Sequence, residues 1–220
     1  HLNPFIMAKT KATQQIVSPE VINMIRDIDR SLFDKREELH LDLFHMSYYT
    51  GGMSLTNLAS LEWFDIDDGD ILECTRFLYP LCDGIEFDHR HMGILNKYAL
   101  TDTDDDGFIF PVDDAIKTSV KGWKNRINAI ASEINKTLQK AVSILGLDVK
   151  VTFRSARYSY LLLCAQEGIS FPEALKFAGG YAIRAYDYYE NRIQPYFTVL
   201  KQVSNALHYS SAETNRKLVN

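Results

Sequence analysis

The sequence predicts a mostly α-helical domain with one small antiparallel β-sheet. Three observations carry that prediction. Apolar residues recur at steps of three and four over long stretches, most plainly in 120–145, where Trp123, Ile127, Ile130, Ile134, Leu138 and Val142 fall on one helical face. Only two short runs, 71–79 and 84–87, read as strands, and they are close enough in sequence to form a hairpin. The chain has 220 residues, 46% of them apolar, which suits one domain with one core.

In chain order, residues 1–17 read as a linker, with a turn-like Asn3-Pro4-Phe5 followed by a polar run without period. Ser18 is a helix N-cap and Pro19 stands at the first helical position. The helix that follows is expected over 18–33, with Val21, Ile22, Ile25, Ile28 and Phe33 apolar. A second helix over 35–49 carries Leu39, Leu41, Leu43, Phe44 and Met46, and Thr50-Gly51-Gly52 breaks it. Ser54 restarts a short helix expected to run to about Asp65. A tight turn at 67–70 leads into the hairpin. A helix over 89–100, an acidic loop at 101–107 and a short extended piece at 108–111 come next. The long helix of 120–145 ends at Gly146. Val151 reads as a strand end, followed by an apolar helix, a turn and a second helical run to Tyr188-Tyr189. After Pro195, a final helix over 197–209 has Phe197, Leu200, Val203 and Leu207 at helical spacing.

The net charge of −5 hides a segregation. Residues 115–160 hold nine Lys or Arg against two acids, whereas 62–114 hold fifteen acids against three bases. The basic block is either a phosphate-tracking surface or a solvated helix face, and charge alone leaves both open. Cys74, Cys82 and Cys164 lack the spacing of a zinc site or disulfide framework and fit a reducing, cytoplasmic setting. No signal peptide is visible, and the longest apolar run, around 160–165, is too short to span a bilayer, so no membrane association is expected. Asp102, Asp104, Asp106, Gly107 and Asp113 fall at calcium-loop positions, but Pro111 interrupts the loop and its last ligand is not Glu. An acidic surface loop is the simpler reading. His40, His45, His89 and His91 are dispersed, and neither metal nor cofactor is expected.

The chemistry concentrates at Arg154 and Arg157, three residues apart, with Tyr188-Tyr189 about thirty residues later. A guanidinium is always charged and offers phosphate a planar fork of donors. A tyrosine hydroxyl is a competent nucleophile. Lys150, Lys121, Lys124 and Arg76 are further candidates for contact with a DNA backbone. Arg154 has a plain alternative as a surface residue, Arg157 as a structural ion pair, and Tyr189 as a packing aromatic in an aromatic-rich run.

Five segments in order resemble the catalytic domain of tyrosine recombinases, the phage-integrase family, and in particular the integrases of bacterial mobile elements. DLFHMSYYTGGMSLTNLASLEWFDI resembles the segment of the first catalytic arginine. GFIFP resembles the aromatic-Phe-Pro motif before the long helix. VTFRSARYSYLLLCAQEG resembles the His-x-x-Arg segment, and FAGGYAIRAYDYYENRI the Leu-Gly-His segment that leads to the nucleophilic tyrosine. NPF resembles the linker after the family's core-binding domain, which is then expected to precede this chain.

The resemblance implies a tyrosine-recombinase catalytic-domain fold over 18–194, with 195–220 as a C-terminal helix and tail that links protomers. It implies double-stranded DNA as partner, self-association or mixed assembly through that helix, and DNA integration or site-specific recombination of a mobile element. Tyr189 would attack a DNA phosphodiester, with Tyr186 and Tyr188 as neighbouring alternatives. Carried over residue by residue, the pattern is incomplete. The first arginine falls on Gly51, the His-x-x-Arg histidine on Arg154, and the Leu-Gly-His histidine on Gly180. Arg157 matches the family's second arginine. The hairpin lysine falls on Arg76 or Phe77, and an arginine does not give up its proton as a general acid must. Loss of one oxyanion donor typically costs about 10²–10³ in rate. The alternative is therefore a catalytically degenerate homologue that acts as a DNA-binding or regulatory partner.

Overall fold

The computed structural model describes residues 16–72, 84–99, 107–112, 120–170 and 173–174. Among them it is mostly helical, with α1 (Pro19–Arg26), α2 (Lys35–Tyr49), α3 (Leu55–Ala59), α4 (His89–Leu95), α5 (Val120–Ile144) and α6 (Ser155–Gln166). The sheet is a two-stranded antiparallel pair, β1 (Ile71–Leu72) with β2 (Ile85–Glu86), in the register Ile71 opposite Glu86. The Arg76 and Phe77 positions, the acidic loop at 101–106, the glycine pair 179–180, Tyr186, Tyr188, Tyr189 and the 197–209 helix all lie outside the described residues.

α2 is the central element. Every residue from Leu39 to Tyr48 is buried, and the helix touches α1, α3, α4, α5 and α6. A helix hydrophobic on one side only would leave its other face to water; this one is enclosed. Its apolar residues Leu41, Leu43, Phe44 and Met46 are fully buried. Its polar residues survive burial because each is paired. His40 Nδ1 meets Thr137 Oγ1 at 2.9 Å, Ser47 donates to Met53 O, and Asp42 accepts from Lys97 and from Tyr98. Asp34 opens α2 with a reciprocal capping box to Glu37. α5 packs Ile130, Ile134, Leu138 and Val142 on this core, the face its periodicity predicts.

Four expectations need correction. The helix expected over 89–100 stops at Leu95, with Asn96 as its C-cap and turns to 99. The helix expected over 18–33 stops at Arg26. Asp29 then caps a separate 3-10 turn, Arg30–Leu32, by accepting from Ser31 N–H, so the side chain competes with the helix for the backbone. Ile28 and Phe33 are nonetheless buried, which is why the apolar pattern runs through the break. The helix expected from Ser54 to Asp65 ends at Ala59. There the chain turns to bond a distant segment: Ile109 N–H donates to Leu61 O and Trp63 N–H to Gly107 O. Val151 is not a strand end. Gln139 Nε2 donates to its carbonyl and Phe153 N–H donates to Asn135 Oδ1, so side chains of α5 take the place of a ladder.

Candidate nucleic-acid interface

Where α2 ends, its sequence is Thr50-Gly51-Gly52, and both glycines have left-handed φ, 73° and 95°. Gly52 N–H donates to Ser47 O at 2.6 Å and Gly51 N–H to Tyr48 O at 3.2 Å. This pairing satisfies the last carbonyls of the helix, and such ends favour glycine because other residues are strained there. The turn leaves the Gly52 carbonyl facing α6. Arg157 donates to it from both Nε, at 2.8 Å, and Nη2, at 2.6 Å, across 105 residues of sequence.

The approach is close enough to require glycine. A Cβ on Gly52 would lie 2.5 Å from Arg157 Cβ and 2.7 Å from its Cα. Arg157 is half-buried in this contact, whereas Arg154, three residues earlier, is exposed and its guanidinium has no hydrogen bond or ion pair among the described residues. The corner that carries both arginines is fixed locally. Thr152 N–H donates to Ser155 Oγ, and Ser155 N–H donates back to Thr152 O, which together close the first turn of α6. Asn135 and Gln139 hold the same corner onto α5.

Between α3, α5 and the start of α6 lies a cleft of about 690 Å³. Arg154 and Arg157 line it, with Tyr158, and Thr56 and Asn128 also stand in its walls. Its described lining contains two arginines and no carboxylate, in a chain whose net charge is −5. The cleft is therefore a local cationic site on an acidic protein, suited to an anion with several acceptor oxygens.

The structure thus brings Arg154 and Arg157 together and adds the Gly51-Gly52 turn to them. Lys124 and Lys150 are exposed but stand outside the described lining. Lys121 lies in the first turn of α5, with its side chain outside the described residues, as are Arg76 and Tyr189. Asn128, Ser132, Asn135 and Thr56 line the cleft and were not among the sequence candidates. The available signal was the row of amides Asn128, Asn135 and Gln139 along one edge of the long amphipathic helix.

His40, His45 and His91 are core groups, whereas His89 is exposed. Burial lowers the pKa of His40 and His91, and lowers that of His45 to about 4. Burial raises Tyr48 to about 12 and also raises the Cys164 thiol. Among the described residues no cluster of three or more His, Cys, Asp or Glu side chains is placed to hold a metal ion. Nor is any described helix long and apolar enough to cross a membrane. No family model, curated protein or solved structure matches the chain.

Proposed function

We propose that the domain binds double-stranded DNA in the manner of a tyrosine recombinase, serving integration or site-specific recombination of a mobile element. A backbone phosphate would sit in the cleft, gripped by Arg154 and flanked by Arg157. The observation that carries this reading is the convergence of three distant segments on one cationic cleft: the Gly51-Gly52 turn, the α5 edge and the Arg154–Arg157 corner. The resemblance places functional residues on the first and third of these segments. A long, weakly hydrated guanidinium with no partner among the described residues is suited to a phosphate oxygen pair.

A second reading, the catalytically degenerate partner, has its own observation. Arg157 spends both Nε and Nη2 on the Gly52 carbonyl, and position 51 has no side chain to place beside it. The donors that would stabilise a pentacoordinate phosphorane are thus reduced to Arg154 and whatever Arg157 retains.

The test is duplex binding measured across ionic strengths, together with a nicked suicide duplex that traps covalent product. Wild-type protein is expected to bind with a clear negative slope of log K against log salt. Arg154→Ala is expected to weaken binding on all sequences alike and to reduce that slope by about 1. A covalent adduct lost in Tyr189→Phe selects the recombinase reading; binding with no adduct selects the degenerate one. Absence of duplex binding at low salt defeats both.

A further inference from the structure

The cleft-side edge of α5 carries three amide side chains, Asn128, Asn135 and Gln139. Two of them are committed to the fold. Asn135 accepts from Phe153 N–H at 2.8 Å, and Gln139 donates to Val151 O at 2.7 Å. Asn128 is different. It lines the open cleft, is exposed, and its side-chain amide makes no hydrogen bond among the described residues. Its neighbours in the wall, Ser132 and, across the cleft, Thr56, are uncharged. Lys124 stands one turn before it on the same side of α5, also exposed.

The wall therefore divides by chemistry. Arginines occupy the α6 end, and neutral groups that both donate and accept occupy the α5 edge. Cations hold phosphate without regard to sequence, whereas an amide with an adjacent donor and acceptor matches the N6 and N7 edge of adenine in the major groove. We infer that Asn128 is a specificity-determining residue that reads an adenine base edge while Arg154 holds the neighbouring backbone. The inference rests on the DNA-binding reading of the same cleft, and it adds sequence preference at one base pair to a contact that is otherwise indifferent to sequence.

The experiment is selection from a randomised duplex library at fixed salt, with the full chain. The enriched duplex is then compared with variants changed at single base pairs. Wild-type protein is expected to enrich a motif containing an adenine at one position. In Asn128→Ala the preference at that one position should fall on the order of tenfold, with the other positions of the motif retained. Asn128→Gln, which keeps the amide on a longer arm, should retain part of the preference. An enriched motif that survives intact in Asn128→Ala overturns the inference and leaves DNA binding standing. Enrichment of no motif by a wild-type protein that does bind duplex also overturns it. Absence of binding to any duplex overturns the binding reading itself.

Discussion

Gly52 joins two ends of the chain through a contact that tolerates no side chain. Its carbonyl holds the Arg157 guanidinium, and its Cα sits against the Arg157 backbone. Alanine there meets two costs, the left-handed φ of 95° and a Cβ placed 2.5 Å from another carbon. The overlap is with Arg157 Cβ and Cα, near the helix backbone, so relief requires α6 to move rather than a flexible tip to swing. Overpacking and backbone strain of this kind together cost about 2–4 kcal/mol. Gly52→Ala is accordingly expected to lower Tm by about 5–10 °C in a thermal melt. An unchanged Tm would show that α6 does not approach the turn as described. Nothing in the sequence around Gly52 indicates this role. A glycine pair after a helix announces a C-cap, but the partner is 105 residues away, and only the folded chain brings it near.

At the scale of elements, the periodic signals were legible and the long-range ones were not. α5 and α2 were readable because their own residues determine their burial, one as a stripe and the other as an enclosed run. The break after Ala59 was not readable. It exists because residues 61–63 bond to 107–109, and local propensity carries no trace of that pairing. The 147–154 connection is a similar case. Val151 suggested a strand end, yet the segment has side-chain amides of α5 for partners. This connection positions Arg154, so its anchors bear on the cleft. Asn135→Ala removes the acceptor of the Phe153 N–H and leaves a part-buried donor unpaired, a loss of about 1–2 kcal/mol. Asn135→Asp keeps an acceptor at the same place. Urea unfolding should find the alanine variant less stable by that amount and the aspartate variant close to wild type. Equal destabilisation of both would show that the hydrogen bond is not what holds the corner.

The whole molecule stores an acid sensitivity in its core. His40 and His45 lie on the central helix, and His91 on α4 packs beside it, with its ring 5.7 Å from that of Tyr49. All three are buried, and burial disfavours the charged form of each. His45 is the extreme case. Its Nδ1 lies 2.7 Å from Leu41 O and its Nε2 lies 3.3 Å from Ile22 O. A neutral imidazole has one N–H, and the shorter contact assigns it to Nδ1. The two carbonyls favour protonation, as does Asp42, but burial outweighs them and Arg30 opposes them as well. The folded pKa therefore lies below the unfolded one, falling from about 6.5 to about 4. Above pH 6.5 the group is neutral in both states and takes nothing from stability. As pH falls through that window the unfolded chain binds a proton that the folded chain refuses, so stability drops until about pH 4 and then levels for this group. Between pH 7.5 and 4.5 His45 alone accounts for about 2–3 kcal/mol, and His40 and His91 act in the same direction. Carboxylates with lowered pKa, such as Asp88, add their loss only as pH approaches their own range. Urea midpoints measured across this span should therefore decline well before the carboxylates titrate, with net proton uptake on unfolding. A midpoint that stays level from pH 7.5 to 4.5 would mean that the histidines are not neutral and enclosed in the folded core. Because α2 carries two of them and touches five other helices, the decline should appear as one cooperative transition rather than as the release of a single segment.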